Sequence, residues 1–517
     1  MSPSTAAGIS VLSTKQTDTG PSPVARPAYF GDLNLDQVVT AVTAGREEYD
    51  LAPFFGAVLH DPTEVRYRQA VLRDLDRDST RRVISVFAQL MHEMRMNLRL
   101  ARRVHHPLQR ARLFLDSARC YCDAVEHLGR ELDAADLASP GMLQLAHYAA
   151  STLVSAEHAD LRDQTSRTLH LLGEVRYTLD ITDSQVTIRA GSAAADASED
   201  VLAPFGVFGP LARPDQPRWP QVPALLELDS IEAGILERVA LLYPAVFEAL
   251  TAFCARWPAF GDPALVRFDR EVQFYLAYLD FIGPMRAVGL PFCLPRVTTG
   301  AATTSAAETF DVVLAARLAA AGQPVTVNDV RLAPPEQVLV VTGPNQGGKT
   351  TFARAFGQLH YLAGLGLLVP GRSAAVELAD DILTQFGRLE TARPDGGRLR
   401  DELIRLREIL RRATPGSVIV LNEILTTVTA SDAAEIGGQL LDLIADTGAR
   451  CMCVTFLDEL AGRGPRFVSI VAGVDPGNPA RRTFKLTRRP ADGLAYADSL
   501  ASQHRLGYEQ IRMRVLA

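Results

Sequence analysis

The apolar run Val338–Thr342 passes directly into Gly343-Pro-Asn-Gln-Gly-Gly-Lys-Thr-Thr351, and helix-forming residues follow. Strand, glycine loop and helix in that order commit this part of the chain to an α/β layer around a parallel sheet. The spacing of Gly343, four residues, then Gly348-Lys349-Thr350 matches a phosphate-binding P-loop (Walker A). Glycines let the backbone curl so that successive N–H groups point at phosphate oxygens beside the positive end of a helix. The expected nucleotide-binding residues are therefore Gly343, Pro344, Asn345, Gln346, Gly347, Gly348, Lys349, Thr350 and Thr351. In that reading Lys349 reaches the terminal phosphates of ATP and the Thr350 hydroxyl enters a Mg2+ shell. The bland alternative is a glycine-rich turn with a chance lysine; the flanking strand and helix speak against it.

A length of 517 residues predicts two to four domains. With 47% hydrophobic and 22% charged residues the chain has the composition of a globular protein with real cores. A net charge of −7 excludes a globally basic surface, so any nucleic-acid contact has to come from a local patch. No apolar run reaches membrane-span length and the start has no signal pattern, which predicts no membrane partner and a cytoplasmic protein. The six cysteines include Cys120/Cys122 and Cys451/Cys453, spacings that suit neither zinc nor a disulfide framework. They read as small buried thiols.

Residues 1–28 are rich in Ser, Thr, Pro, Ala and Gly and predict a disordered tail. Residues 29–300 predict a mainly helical region, with the stretch Arg81–Cys122 helical apart from Pro107. That stretch carries Arg95, Arg99, Arg102, Arg103, Arg110 and Arg112, either a grip for a phosphate backbone or a solvated helix face. Alternation at Val175–Asp180 and Gln185–Arg189 predicts a hairpin at about 175–189 inserted into the helical region. A Ser/Ala/Asp-rich and then Pro-rich connector runs from Gly191 to Pro223 before helices resume. Residues 301–517 alternate strand and helix. Strands are expected at Ser417–Leu421 and Cys451–Thr455, and an amphipathic helix at Asp401–Arg412 with Asp401–Arg405 and Glu408–Arg412 pairs. The fold class is α plus α/β, a helical domain followed by a P-loop NTPase domain.

Hydrolysis needs a carboxylate near the metal and an acid to orient water. The strand ending Leu421-Asn422-Glu423 supplies both positions: Glu423 as the catalytic acid, and Asn422, with Thr350, at the metal. Asparagine accepts through its carbonyl oxygen but brings no negative charge, so weak magnesium binding follows.

At this point the residues resemble one family. The loop Gly343–Thr351 is similar to the G-P-N-M-G-G-K-S-T loop of the MutS mismatch-repair ATPases. Leu365–Pro370, Asp381–Gly387 and Thr427–Asp432 resemble further family segments, as do Asp61–Gln69 with its Arg-Gln pair, Leu279-Asp280, and the closing stretch Ala495 to Arg514. The resemblance covers about residues 40 to 517. It implies a helical core with levers and a small clamp-like hairpin region, then an ABC-type P-loop NTPase domain, with ATP and Mg2+ as ligands, a homodimer with composite sites, and duplex or branched DNA as a partner. Four features depart from the family. Asn422 replaces the usual aspartate, and Thr455-Phe456 stands where the family has a switch Thr-His pair. The signature-loop serine is absent from Asp395–Glu402, where Gly397 or Arg398 takes its place. The adenine-stacking aromatic gives way to the aliphatic stretch Pro324–Asn328. No Phe-x-Glu occurs, so true mismatch reading and its N-terminal domain are not expected. Two functions stay open. One is a nucleotide-gated dimeric DNA clamp in repair or recombination; the other is a nucleotide-gated scaffold or regulatory protein with a degenerate ATPase and no DNA role. An SMC- or transporter-type ATPase lacks support from heptad arms or membrane signals.

Overall fold

The computed structural model describes residues 9–15, 27–182, 185–191, 228–300, 303–387, 397–475, 477–491 and Arg512. The hairpin turn at 183–184, the connector from 192 to 223, positions 395–396 and, apart from Arg512, the closing stretch 495–514 lie outside these residues. The chain divides into two compact units. One comprises residues 1–76, 138–141 and 270–517; the other comprises 77–137 and 142–269.

The first unit is built on a six-stranded sheet. Its order is Ile382–Phe386, Val418–Asn422, Arg450–Val454, Val338–Thr342, Phe467–Asp475, Asn478–Arg488. The first five run parallel and the last is antiparallel to its neighbour. The three central strands 338–342, 418–422 and 450–454 are buried at every position, as expected when helices cover both faces. On one face Ile419, Leu421, Cys451 and Cys453 pack with Leu406, Leu441 and Ile444 from the helices Arg398–Arg412 and Ala430–Thr447. Burial pushes the Cys453 thiol up to about 12, so these cysteines are inert packing groups. The alternate strand residues face the other way, and the helix Lys349–Gly364 meets strands 418–422 and 450–454.

That helix is buried on its outer side too. Tyr361 donates to the carbonyl of Phe55 (2.6 Å), the Gln358 amide donates to that of Leu33 (3.0 Å) and Arg354 to that of Asp32 (3.0 Å). Gly357 is required at the crossing, because a Cβ there would lie 2.6 Å from the Leu33 side chain. Fully burying side chains such as Leu33 and Phe55 stabilises by about 2 kcal/mol each. The helices between 29 and 76, expected within a 29–300 helical domain, therefore belong to the unit containing the glycine loop.

Two further expectations meet a different outcome here. Within the stretch expected to be a disordered tail, Ile9, Val11 and Leu12 are buried. Ser10 and the Val11 amide donate to Glu271, and the Thr14 amide donates to Glu64 (3.0 Å). Composition missed this because the partners lie far along the chain. In the helix Arg398–Arg412, Glu408 pairs with Arg411 (2.7 Å), while Arg412 reaches across to Asp381. The Arg-Gln pair of the helix Pro62–Leu75 is a structural clamp. Arg68 donates to the Leu12 and Leu365 carbonyls, Gln69 to that of Pro295.

In the second unit the helical stretch Arg81–Cys122 falls into two helices that break before Pro107, Asp78–Arg103 and Pro107–Glu131. Pro107 sits in the first turn of the second, where its missing N–H costs nothing. The arginines largely meet acids or carbonyls within the same unit. Arg95 pairs with the buried Asp269, Arg112 with Asp116 (2.9 Å), Arg119 with Asp123 (3.3 Å), and Arg110 donates to the Val104 carbonyl. Arg102 and Arg103 are exposed in the last turn, the end of a helix that favours cations. The hairpin is present as Tyr177–Thr182 antiparallel to Gln185–Ala190. Among the described residues no single helix is long and apolar enough to cross a membrane.

Candidate functional site

The loop from Gly343 to Gly348 joins the strand Val338–Thr342 to the helix Lys349–Gly364. Gly343 (φ +111°) and Gly348 (φ +91°) occupy backbone conformations that side chains disfavour. Space also demands glycine at 343 and 347. A Cβ on Gly343 would lie 3.0 Å from the Ala472 amide, and one on Gly347 would lie 2.9 Å from the Pro344 carbonyl oxygen.

Lys349 is buried, and its ammonium donates to the carbonyls of Gly343 (2.8 Å) and Pro344 (3.1 Å), bracing the loop across its mouth. Its third neighbour is the ring of Phe456, with the nitrogen 4.6 Å from the centroid. Phe456, read from the sequence as standing at the place of the family's switch histidine, thus offers a π face in place of a hydrogen bond. Burial lowers the Lys349 pKa below the ordinary lysine value, and the charge of Glu423 pulls it the other way. Thr350 donates to the Asn422 side-chain oxygen (2.9 Å). The strand Val418–Asn422 therefore ends beside the start of the helix, as the sequence pattern required.

Glu423 follows directly, with φ +54°; its amide donates to the Val454 carbonyl (2.9 Å). Two residues on, Leu425 is also left-handed (φ +58°), and its amide donates to the Glu402 carboxylate (2.8 Å). Gln346 (φ +59°) and Phe484 (φ +57°) are left-handed too, and each of these non-glycine residues carries backbone strain of about 1–3 kcal/mol. Such strain persists where surrounding contacts over-determine the conformation, and here hydrogen bonds pin the turn at Glu423 and Leu425.

Of these groups, Gln346 to Thr350 and Glu423 line a cavity of about 800 Å³. Asn345–Thr351 form its floor and Glu423 lies on its wall. The expected Pro324–Val325–Thr326 stretch and Asn328 form part of another side. Sequence reasoning missed Phe310, Leu314 and Leu318, which add apolar surface, and Phe484 from the last strand of the sheet. Asp311 was a readable local signal, since it caps the helix Val312–Ala320 by accepting from the Val313 and Leu314 amides. Nothing local announces Phe484. Gly397 opens the helix Arg398–Arg412, and Thr429 caps the helix Ala430–Thr447 through the Asp432 amide.

The donor set fits a nucleotide: a close-packed glycine cradle, a buried ammonium and an apolar side wall in one cavity. For Mg2+ the set is sparse. Thr350 and Asn422 offer neutral oxygens, and among the described residues no group of three or more His, Cys, Asp or Glu side chains gathers as a metal site. That suits an ion carried mainly by phosphates and water.

Residues 339–470, which contain the strand, loop, helix and Asn422-Glu423, match the family model MutS domain V. The chain is 30% identical over 253 residues to the DNA mismatch repair protein MutS of Chlorobaculum parvum, covering 48% of this chain and 28% of that protein. It is 32% identical over 190 residues to the protein of the same name from Myxococcus xanthus, covering 36% and 21% of the two chains. The DNA mismatch repair protein msh-3 of Neurospora crassa is 34% identical over 129 residues, or 25% and 11%. The matched stretches thus span less than a third of the length of these relatives. The stretch 339–470, built around the glycine loop and its neighbouring strands, is thus a MutS domain V.

Proposed function

We propose that the protein binds ATP with Mg2+ at the glycine loop and acts as a nucleotide-gated homodimer, a clamp on duplex or branched DNA that does not read mismatches. One observation carries the nucleotide part: Lys349, Thr350, Asn422 and Glu423 converge at one end of the sheet beside a loop that tolerates only glycine at two places. The relatives' names carry the DNA part.

In this reading the loop amides and Lys349 hold the phosphates, exchanging the Gly343 and Pro344 carbonyls for phosphate oxygens. Mg2+, when bound with the nucleotide, neutralises charge on the terminal phosphates. Thr350 and Asn422 would hold it. Glu423 orients water for hydrolysis, and Phe456 leaves that step without a histidine contact to the terminal phosphate. Slow turnover follows, with nucleotide occupancy shifting the population between open and closed dimers.

The pairing of Arg95, Arg112 and Arg119 with carboxylates favours a second reading, a nucleotide-gated scaffold with no DNA role. Binding of duplex and branched DNA at about 50 and 200 mM salt, with and without ATP, separates the two. A clamp making several phosphate contacts loses about a thousandfold or more across that range. No salt-sensitive binding in any nucleotide state leaves the scaffold.

Asn422→Asp tests the metal assignment. A carboxylate in place of a carbonyl turns a neutral contact into a charge-assisted one, a gain of about 1–2 kcal/mol. ATP affinity measured at limiting Mg2+ should tighten about 5- to 30-fold, with little change in EDTA. Equal effects with and without metal would remove Asn422 from the metal shell.

A further inference from the structure

We propose that a second cavity, of about 340 Å³, binds a small protonated amine. It lies between the helices Pro107–Glu131, Pro140–Leu153 and Ala156–Gly173 and the segment 257–262. All the described residues that line it belong to the second unit, so it stands or falls apart from the glycine loop. An unmet hydrogen-bonding group marks the place. His158 lines the cavity and is 4% exposed, and neither ring nitrogen has a hydrogen-bond partner among the described residues. Leaving a buried polar group unmet is costly, and a ligand that meets it recovers that cost. Burial, helped by the charge of Arg162, lowers the pKa of His158 below the ordinary histidine value. The ring is then neutral at neutral pH, with one nitrogen lone pair free to accept.

The charge balance around that ring selects a cation. Two carboxylates, Glu157 and Asp262, are on the lining, and no lysine or arginine is among the described residues there. Two helices also begin here, Ala156–Gly173 after Ser155 and Pro263–Ala287 after Asp262. Each helix start carries about half a positive charge, so two full negative charges against two halves leave about one unmatched. Both starts are already capped. Ser155 accepts from the His158 amide (3.2 Å), and Asp262 accepts from the amides of Ala264 (2.8 Å) and Leu265 (3.0 Å). An anion would therefore meet occupied donors and like charge. Arg162 and Arg256, on the adjoining helices, pair with Asp163 (3.3 Å) and Asp160.

The walls are aromatic. Tyr121, Tyr148, Trp257 and Phe260 line the cavity with His158. The Tyr121 ring lies edge-on to His158, with centroids 6.4 Å apart, and 5.6 Å from Phe260. Ring faces attract cations, most strongly where water is excluded. Rings and carboxylates alone would admit a quaternary ammonium, but that group has no N–H and would leave His158 unmet. A primary or secondary ammonium supplies the donor. Bound, it ties the segment 257–262 to the helices across the cavity.

The test titrates n-butylammonium and its neutral isostere 1-butanol against the full chain by ligand-detected NMR. The ammonium should bind at least about tenfold tighter than the alcohol, the difference a charge-assisted hydrogen bond makes. His158→Phe keeps a ring and removes the acceptor. It should weaken the ammonium about 10- to 150-fold, and the alcohol by less. Glu157→Gln changes an exposed first-turn residue and keeps the test alive should His158→Phe fail to fold. It should weaken the ammonium about 2- to 5-fold and leave the alcohol unchanged. Equal affinity for the two probes overturns the proposal, as does no saturable ammonium binding below about 10 mM. Unchanged ammonium affinity in either folded variant overturns it too.

Discussion

Replacing Lys349 by alanine should cost at least about a hundredfold in ATP affinity. The ammonium is buried, faces the cavity and is the one cation within the motif Gly343–Thr351. Hydrogen bonds to charged groups contribute about 1.5–3 kcal/mol each, and a lysine spanning two phosphates makes more than one. A loss of about 3 kcal/mol is about 150-fold. A second effect adds to it. Lys349 braces the loop through the Gly343 and Pro344 carbonyls, so the variant loop is also less pre-organised. Calorimetric titration of ATP with Mg2+, beside thermal unfolding without nucleotide, checks the expectation. ATP affinity within about threefold of the unmodified protein would remove Lys349 from the site.

How much of this was legible in the sequence depended on the range of the interactions involved. The loop, the strand before it and the helix after it follow from local rules: glycine where backbones crowd, apolar runs where both faces are covered. The strands near Leu421 and Cys453 were placed to within a residue for the same reason. Asn422 and Glu423 were found by their place after such a strand. Long-range features escaped. Residues 9–14 look like tail until Glu64, Glu271 and Tyr275 are brought to Thr14 and Val11. Phe484 lies on a strand whose pattern says nothing about a cavity 136 residues earlier in the chain, at Gly348 (484 − 348). The split helix at Val104–His106 was signalled by Pro107, but a proline at a first turn and a proline in a kink read alike without the backbone. The arginines of that region illustrate the limit of charge counting. Arg112 and Asp116 are visible as an i, i+4 pair, whereas Asp269 reaches Arg95 from 174 residues away.

The buried ion pair between Arg450 and Glu377 ties the site's two sheets together, and breaking it should cost about 3–5 kcal/mol. Arg450 opens the strand beside Val338–Thr342, in the six-stranded sheet. Glu377 ends Ser373–Glu377, in the four-stranded sheet that includes Thr304–Thr309 and Asn328–Leu332. The first sheet carries the glycine loop and the second carries Thr309 and Asn328 of the cavity wall. Both charges are almost fully shielded from water, and Arg450 also donates to the Gly416 carbonyl (3.0 Å). Arg450→Leu leaves the Glu377 carboxylate buried without its cation, the costly arrangement. Arg450→Leu with Glu377→Leu removes both charges and should recover most of the loss, because a buried pair contributes little over apolar packing of similar volume. Denaturant unfolding followed at the strand Arg450–Val454 by hydrogen exchange reads the stability. ATP titration reads the consequence for the cavity, which should weaken in the single variant and return in the double. A single variant within about 1 kcal/mol of the unmodified protein, or a double variant as unstable as the single, would show that the two sheets are held in register by packing alone.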